Sequence, residues 1–486
     1  MSATSSGRRR AAALALLAAA QFMVIMDTSI IGVALPEIRD ALGFAQADLS
    51  WVFNAYVVAF GGLLLLGGRL SDLLGARRVF AAGWAVLLGG SVMAGLANSV
   101  GLEIAGRAVQ GLGAALIAPA GLALLFMIFS SEPRELGKAL AIYGAAAPAG
   151  GTAGVFLGGV LTEWLDWRWT FLVNLPVAVA ALALVPVLLP QVAARRGRVD
   201  LVGAGAVTGA LALAVLGIVR ANEVGWSSAE TLVVLGTAAA LLLVFLVSQA
   251  ARREPLVPLR IFRTHNLSAA NLTMALLGAA WIPMWFFLNL YLQQVLGYGA
   301  FEGGAALLPM TLAIMLLMVG VTGRIAERIG AKATAVTGLG VLAVGIGLMA
   351  LAPADGSFAL HVLPASLVAA VGMSLAYIPV LTSALAAVRP EEGGLASGIV
   401  NTTYQVGSAI GLAAMSAVAS AAGADRIGDV LALADGFQAA FAGAAGIAAL
   451  GAVAALVFLR GRRVTPEPVG SATETSPLRE QVTASV

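Results

Sequence analysis

The sequence predicts an all-α polytopic membrane protein with fourteen transmembrane helices, and three observations predict it. The 486 residues are 60% hydrophobic and only 11% charged, with a mean hydropathy of +0.95, far from the values of soluble domains. The apolar runs are about 20 residues long, the length of helix that spans a hydrocarbon core, and they lack the period-two alternation of a barrel strand. The basic residues, finally, alternate between loops in the register that an even number of spans requires.

The first run covers 11 to 36 and follows Arg8-Arg9-Arg10. That start imitates a secretory signal, but the run continues past Gln21 to Pro36, and cleavage would remove about half a membrane helix. Charged or Gly/Pro/Asp-rich breaks then delimit helices near 49 to 70, 79 to 98, 102 to 127, 138 to 161 and 169 to 190. A central pair follows at 201 to 219 and 229 to 249, and six more lie near 267 to 293, 302 to 322, 333 to 352, 360 to 385, 395 to 421 and 436 to 460. The expected organisation is a cytoplasmic N-terminus (1–10), an N-terminal six-helix bundle (11–190), a linker with two extra transmembrane helices (191–266), a C-terminal six-helix bundle (267–460) and a polar, disordered cytoplasmic tail (461–486).

Of the 28 basic residues, Arg39, Arg168, Arg220 and Arg426 fall on the far side of the bilayer and Arg107 lies within a helix. The others share the side of the N-terminus. A miscounted helix would invert every later loop and destroy this partition, so the expected setting is the cell membrane with both termini cytoplasmic.

An internal repeat divides the chain. Gly68-Arg69-Leu70-Ser71-Asp72-Leu73-Leu74-Gly75-Ala76-Arg77 matches Gly323-Arg324-Ile325-Ala326-Glu327-Arg328-Ile329-Gly330-Ala331-Lys332, each in the loop after the second helix of a six-helix set. Two duplicated halves with an inserted pair is the economical reading. A single such loop reads as a tight turn with orientation-setting charges. Its recurrence argues for a paired conformational gate built from Gly68, Asp72, Gly75, Arg77 and Arg78 in one half and Gly323, Glu327 and Gly330 in the other.

Asp27 is the first residue that needs explaining. It lies nine residues before Pro36, about 13 Å of helix from the outer end, where an acid costs roughly 2.5 to 3.5 kcal/mol on insertion scales. Intramembrane carboxylates face cavities and relay protons, or form structural ion pairs. Arg107 is the one basic residue deep in a helix, about 8 to 9 Å below the same surface, so the two are expected to meet, with Gln110 one turn deeper on the Arg107 face. The alternative for Arg107 is a guanidinium that binds carbonyls and holds helices together.

Other patterns are less specific. Gly150, Gly154, Gly158 and Gly159 form a small-residue stripe that permits close helix approach, as do Gly407 and Gly411. Asn401, Gln405 and Ser408 share one face, which lines a cavity or bonds another helix. Trp281, Trp285 and Asn289 recur at four-residue steps around Pro283, and such a face holds flat apolar or cationic ligands or anchors ordinary packing. The substrate path is therefore expected to involve Gln110, Trp281, Trp285, Asn289, Asn401 and Gln405.

The absence of cysteine excludes disulfides, thiolate metal sites and cysteine nucleophiles. With two histidines and no HExxH, Walker or nucleophile-elbow sequence, the chain carries neither those enzyme chemistries nor its own ATP-driven pump. No metal and no cofactor are expected, protons serving as the coupling ion. The expected partners are the lipid bilayer and a small-molecule substrate, with no nucleic acid and no obligatory protein partner.

These residues together resemble the major facilitator superfamily, and within it the fourteen-helix drug:proton antiporter family. Met26 to Pro36 is similar to that family's first-helix signature, Gly68 to Arg78 to the superfamily loop motif, and Arg107-Ala108-Val109-Gln110-Gly111-Leu112-Gly113 to the fourth-helix motif linked to proton transfer. Trp167 to Phe171, Asn174 and Pro176 match the start of the sixth helix. The likeness covers about residues 11 to 460. It departs in the fifth helix, where Val155 stands in place of the antiporter motif's proline and Ala141 in place of a glycine, with Pro148 nearby to supply a kink.

The resemblance implies a proton-coupled secondary antiporter that exports hydrophobic or cationic drugs or antibiotics by alternating access. Asp27 would be the proton-coupling acid and Arg107 its electrostatic partner. Two other readings stay open: a dedicated exporter of one endogenous metabolite, such as an antibiotic or siderophore, and a non-transporting membrane receptor or scaffold.

Overall fold

The computed structural model describes residues 3–129, 132–191, 200–252, 255–388 and 393–460. The tail 461–486 and part of the linker at 192–199 and 253–254 lie outside the described residues. Backbone groups in hydrocarbon are satisfied only within helices or closed barrels, and the described residues form helices and no strand.

The first half contains α1 (Ala3–Ser29), α2 (Ile31–Leu42), α3 (Trp51–Leu74), α4 (Ala76–Gly95), α5 (Val100–Phe129), α6 (Pro133–Trp164), α7 (Trp169–Leu172) and α8 (Asn174–Leu188). The hairpin α9 (Leu201–Val224) and α10 (Ala229–Ala251) follows. The second half contains α11 (His265–Leu290), α12 (Ala300–Gly320), α13 (Thr322–Ile329), α14 (Ala331–Met349), α15 (Leu363–Leu385), α16 (Gly393–Ala419) and α17 (Val430–Phe458). Among the described residues, fourteen helices are long and apolar enough to cross a membrane, close to the ranges read from hydropathy.

The first helix departs most from expectation. It starts at Ala3, ahead of residue 11, because Arg9 and Arg10 are held by the carbonyls of Val187 and Ile128 and Arg10 pairs with Glu135 at 2.9 Å. Pro36 does not end it either. A turn at Ile30 joins α1 to α2, which carries Pro36 inside and runs on to Leu42, since a helical proline forfeits one hydrogen bond yet has the required φ. Thr28 and Ser29 both bond back to the Ile25 carbonyl, at 2.7 and 3.2 Å, which bends helices at such sites.

Packing repeats between the halves. In the first, α5 lies against α3 and α4, α1 against α6, and α4 against α8; in the second, α15 lies against α12 and α14, α11 against α16, and α14 against α17. The halves meet along α6 with α12 and along α3 with α16. Both repeat loops shrink to one glycine in the same conformation, Gly75 at φ 90°, ψ 128° and Gly330 at φ 87°, ψ 151°. Side chains rarely adopt a positive φ of that kind.

The extra hairpin is not peripheral on both sides. Helix α9 packs on α3 and α16, the two helices of one inter-half seam, and α10 packs chiefly on α9. Neighbouring glycines make room for this: a Cβ on Gly61 would strike Gln405 of α16, and one on Gly62 would strike Thr208 of α9. Buried Asp200 pins the base of the hairpin, accepting from Gly203 N at 2.8 Å and Gln249 Nε2 at 2.7 Å and pairing with Arg252 at 3.1 Å.

Candidate functional site

Asp27 and Arg107 meet inside the first half. Arg107 Nη1 donates to Asp27 Oδ2 at 2.9 Å, and the two side chains are 0% and 1% exposed. Small residues let the surrounding helices converge: Gly106 and Gly90 bring α5 against α4, Gly154 brings α6 against α1, and Gly158 brings it against the turn at Ile30. The pair is embedded in a network. Gln110 accepts from Arg107 Nη1 at 2.9 Å and donates to Asp27 Oδ1 at 3.1 Å and to Ser91 Oγ at 2.9 Å. Asn174 Nδ2 donates to Asp27 Oδ1 at 2.6 Å and to Ser91 Oγ at 3.2 Å.

The rest of Arg107 is held from α3 and α7. Its Nε donates to the Val52 carbonyl at 2.8 Å, and its guanidinium lies 4.6 Å from the Tyr56 ring centroid and 5.8 Å from that of Phe171. A charge removed from water needs such a set of partners to offset its desolvation, and rings supply part of it through cation–π attraction. Sequence reasoning named Asp27, Arg107 and Gln110 but gave no polar role to Ser91, Tyr56 or Asn174. Only Asn174 carried a signal, as a polar residue in an apolar sixth helix.

Next to this network lies a cavity of about 240 Å³ between the halves. Ile25, Thr28 and Ser29, which flank Asp27 along α1, form part of its wall. Phe53, Phe60, Trp281, Trp285, Tyr377 and Tyr404 give it an aromatic lining from both halves, and no charged side chain is among the lining residues. Trp285 rests on Gly32 of α2, where a Cβ would strike its ring.

The structure thus divides the residues expected on a substrate path. Trp281, Trp285 and Gln405 line the cavity. Gln110 belongs to the ion-pair network instead. Asn289 turns back to its own helix, donating to the Trp285 carbonyl at 2.8 Å, and Asn401 accepts from Tyr377 Oη at 3.4 Å, behind the wall. The sequence spacing put these residues on one face but carried no information on which of them a neighbouring helix covers.

The glycine stripe also divides. Gly150 and Gly154 face the backbone of α1 at Phe22 and Met26 and Gly158 faces that of the Ile30 turn, whereas Gly159 faces Ala300 and Phe301 of α12 in the other half. Val155, where a proline was expected, is buried with its carbonyl against Gly304 of α12, and α6 runs through it without interruption. In the repeat segments, Asp72, Arg78 and Glu327 are exposed, a Cβ on Gly68 would make ordinary contact with Pro119 and one on Gly323 would meet open space, and Arg77 donates to the Leu189 carbonyl at 3.2 Å. At the opposite end of the bundle the halves are tied together. Gln46 bonds Gln294 at 3.2 Å, Glu163 accepts from Phe301 N at 3.4 Å, and Trp164 stacks on Phe301 at 5.3 Å. Among the described residues, no cluster of His, Cys, Asp and Glu could hold a metal ion.

A buried acid–base network beside an apolar cavity between two repeated helical halves defines a membrane transporter rather than an enzyme. Comparison with known proteins places it further. The Major Facilitator Superfamily model matches residues 17–412 and 323–485, and the chain belongs to that superfamily. It is 39% identical over 446 residues to the cephamycin export protein CmcT of Amycolatopsis lactamdurans, covering 91% of each chain. It is 35% identical over 482 residues to the puromycin resistance protein pur8 of Streptomyces alboniger, covering 96% of this chain and 95% of that one. The solved nucleoside transporter NupG shares the fold, with a TM-score of 0.65 at 12% identity over 92% of this chain and 99% of that one. The protein is therefore a multi-pass secondary transporter related to antibiotic-export and drug-resistance proteins.

Proposed function

We propose that the protein is a proton-coupled antiporter of the cytoplasmic membrane that exports hydrophobic or cationic organic compounds by alternating access. The observation that carries this reading is the Asp27–Arg107 pair, sealed from solvent yet one residue from Thr28 in the cavity wall. Protonating Asp27 removes the charge that Arg107 holds on α1, and α1 is the helix that α6 grips through Gly150 and Gly154. A proton is thereby coupled to the position of a cavity-lining helix.

The cavity favours the substrate class. Its aromatic lining suits flat apolar compounds, and a cation would be held by ring faces, about 0.5 to 2 kcal/mol each, because no carboxylate lines the wall. Trp281, Trp285 and Gln405 form its substrate contacts. With both termini cytoplasmic, the face closed by Gln46–Gln294 and Trp164–Phe301 is the outer one, and the Gly75 and Gly330 loops are paired gates on the inner one. The chain has no native cysteine, so labelling of single-cysteine variants at Gly7 and Gln46 tests the orientation directly.

The main test uses everted vesicles. Asp27→Asn is expected to abolish uptake driven by a proton gradient while the protein still inserts, and full activity would refute the assignment. A second reading, export of one dedicated antibiotic, draws support from the relatives named for cephamycin and puromycin. An efflux panel in a pump-deficient host separates the two, since a dedicated exporter protects against one chemical class only.

A further inference from the structure

Glu103 is a carboxyl group that the pair described above does not use. It lies on α5, is 0% exposed, and neither of its oxygens has a hydrogen-bond partner among the described residues. Arg107 is four residues further along the same helix, a spacing that puts both side chains on one face. The Arg107 Nη2 atom is likewise buried and without a partner. An orphaned acid and an orphaned guanidinium nitrogen therefore stand one helical turn apart, about 6 Å along the axis, on the side of Arg107 nearer the end of α5 at Val100.

We propose that Glu103 is a second proton-carrying carboxyl of the transport cycle, and that Arg107 alternates between Asp27 and Glu103 as its partner. This inference rests on the proton-coupled reading above. One guanidinium balances one carboxylate, so the buried set of Asp27, Glu103 and Arg107 is neutral only when it holds a single proton. In the present arrangement Asp27 has three hydrogen-bond donors, the guanidinium among them, while Glu103 has none. The proton accordingly sits on Glu103, where an ionised group would lack any donor.

Transfer breaks the O–H bond on Glu103 and forms one on Asp27, leaving net charge unchanged. Arg107 then exchanges its Nη1 bond to Asp27 for an Nη2 bond to the newly ionised Glu103. The second acid lies one turn nearer the outer end, so it reloads from that side after Asp27 has released its proton to the other. The charged groups that act on Glu103 are Arg107 on its own helix and Asp27 on α1. Of the other helices against α5, α3 presents the Tyr56 phenol beneath the guanidinium, α4 has its arginines at its far end, and Glu163 of α6 is turned toward α12.

The test reads the proton and the transport separately. Infrared spectra of the purified full chain in liposomes at neutral pH are expected to show a neutral-carboxyl band that disappears in Glu103→Gln and persists in Asp72→Asn. In everted vesicles loaded through a proton gradient with ethidium, Glu103→Gln is expected to slow uptake by about 100-fold while leaving gradient-free ethidium exchange intact. Glu103→Asp should restore uptake with a shifted pH profile, which loss of folding would not allow. An unchanged band and unchanged gradient-driven uptake in Glu103→Gln would overturn the proposal. If the wild type shows no gradient-driven uptake at all, the proton-coupled reading falls, and a band that survives Glu103→Gln still refutes the placement of the proton.

Discussion

Replacing Asp27 by Asn tests the energetic reasoning behind the site as well as its role. The carboxylate accepts three hydrogen bonds, from Arg107 Nη1 at 2.9 Å, Gln110 Nε2 at 3.1 Å and Asn174 Nδ2 at 2.6 Å. Asparagine has one acceptor oxygen. If that oxygen faces Gln110 and Asn174, its amide nitrogen points at the guanidinium; if it faces Arg107, the nitrogen meets two amide donors. Either way the buried Arg107 cation loses the carboxylate it is paired with, a cost of up to about 3 to 5 kcal/mol, reduced to the extent that Glu103 ionises to replace it. Arg107→Met strands the carboxylate in the same way. The double variant removes both charges, so its loss is expected to fall short of the sum by about 2 kcal/mol. Equilibrium unfolding of purified protein in mixed micelles by sodium dodecyl sulfate measures all four states. Strict additivity of the two losses, or no loss from Asp27→Asn, would show that the pair carries no coupling energy and refute the argument.

Three further outcomes follow from other parts of the fold. Gly75→Ala and Gly330→Ala force a side chain onto backbone at φ 90° and 87°, and each should cost about 1 to 3 kcal/mol in the same assay; equal stability would mean the loops relax freely. Asp200→Ala removes the N-cap of α9 and the buried acceptor of Gln249 and Arg252, with an expected loss of about 2 kcal/mol and faster proteolysis at the α9–α10 hairpin. Partial burial, then the carboxylates of Glu163, Asp166 and Asp40, raise the Glu37 carboxyl above its ordinary value of 4.5. A raised acid favours the folded state at low pH and loses that contribution as pH climbs from 4.5 through the folded value. Glu37→Gln should therefore melt at a higher temperature than wild type near about pH 7 and at the same temperature in acid.

Much of the architecture was legible because membrane helices are specified locally. Apolar length, the charge asymmetry of the loops and the Gly68 and Gly323 repeats each depend on neighbours in sequence, and the observed spans follow them closely. The errors fall where a distant contact overrides a local signal. Pro36 looked like a helix end, yet α2 runs through it. The first helix was expected from residue 11, yet α1 begins at Ala3, with Arg9 and Arg10 bonded to carbonyls of α8 and α5.

The site divides along the same line. The sequence by itself determined that an acid and an arginine lie at matching depth, since depth is a count of residues at a fixed rise per residue. It also determined that glycines open close approaches. Only the tertiary structure decided which helix faces which: that Ser91 and Asn174 complete the network, that Asn289 and Asn401 are withdrawn from the cavity while Gln405 enters it, and that Glu103 stands without a donor. Those facts depend on the rotation of each helix about its axis. In a bundle whose helices are apolar on nearly every face, side-chain packing sets that rotation, and hydrophobic periodicity does not.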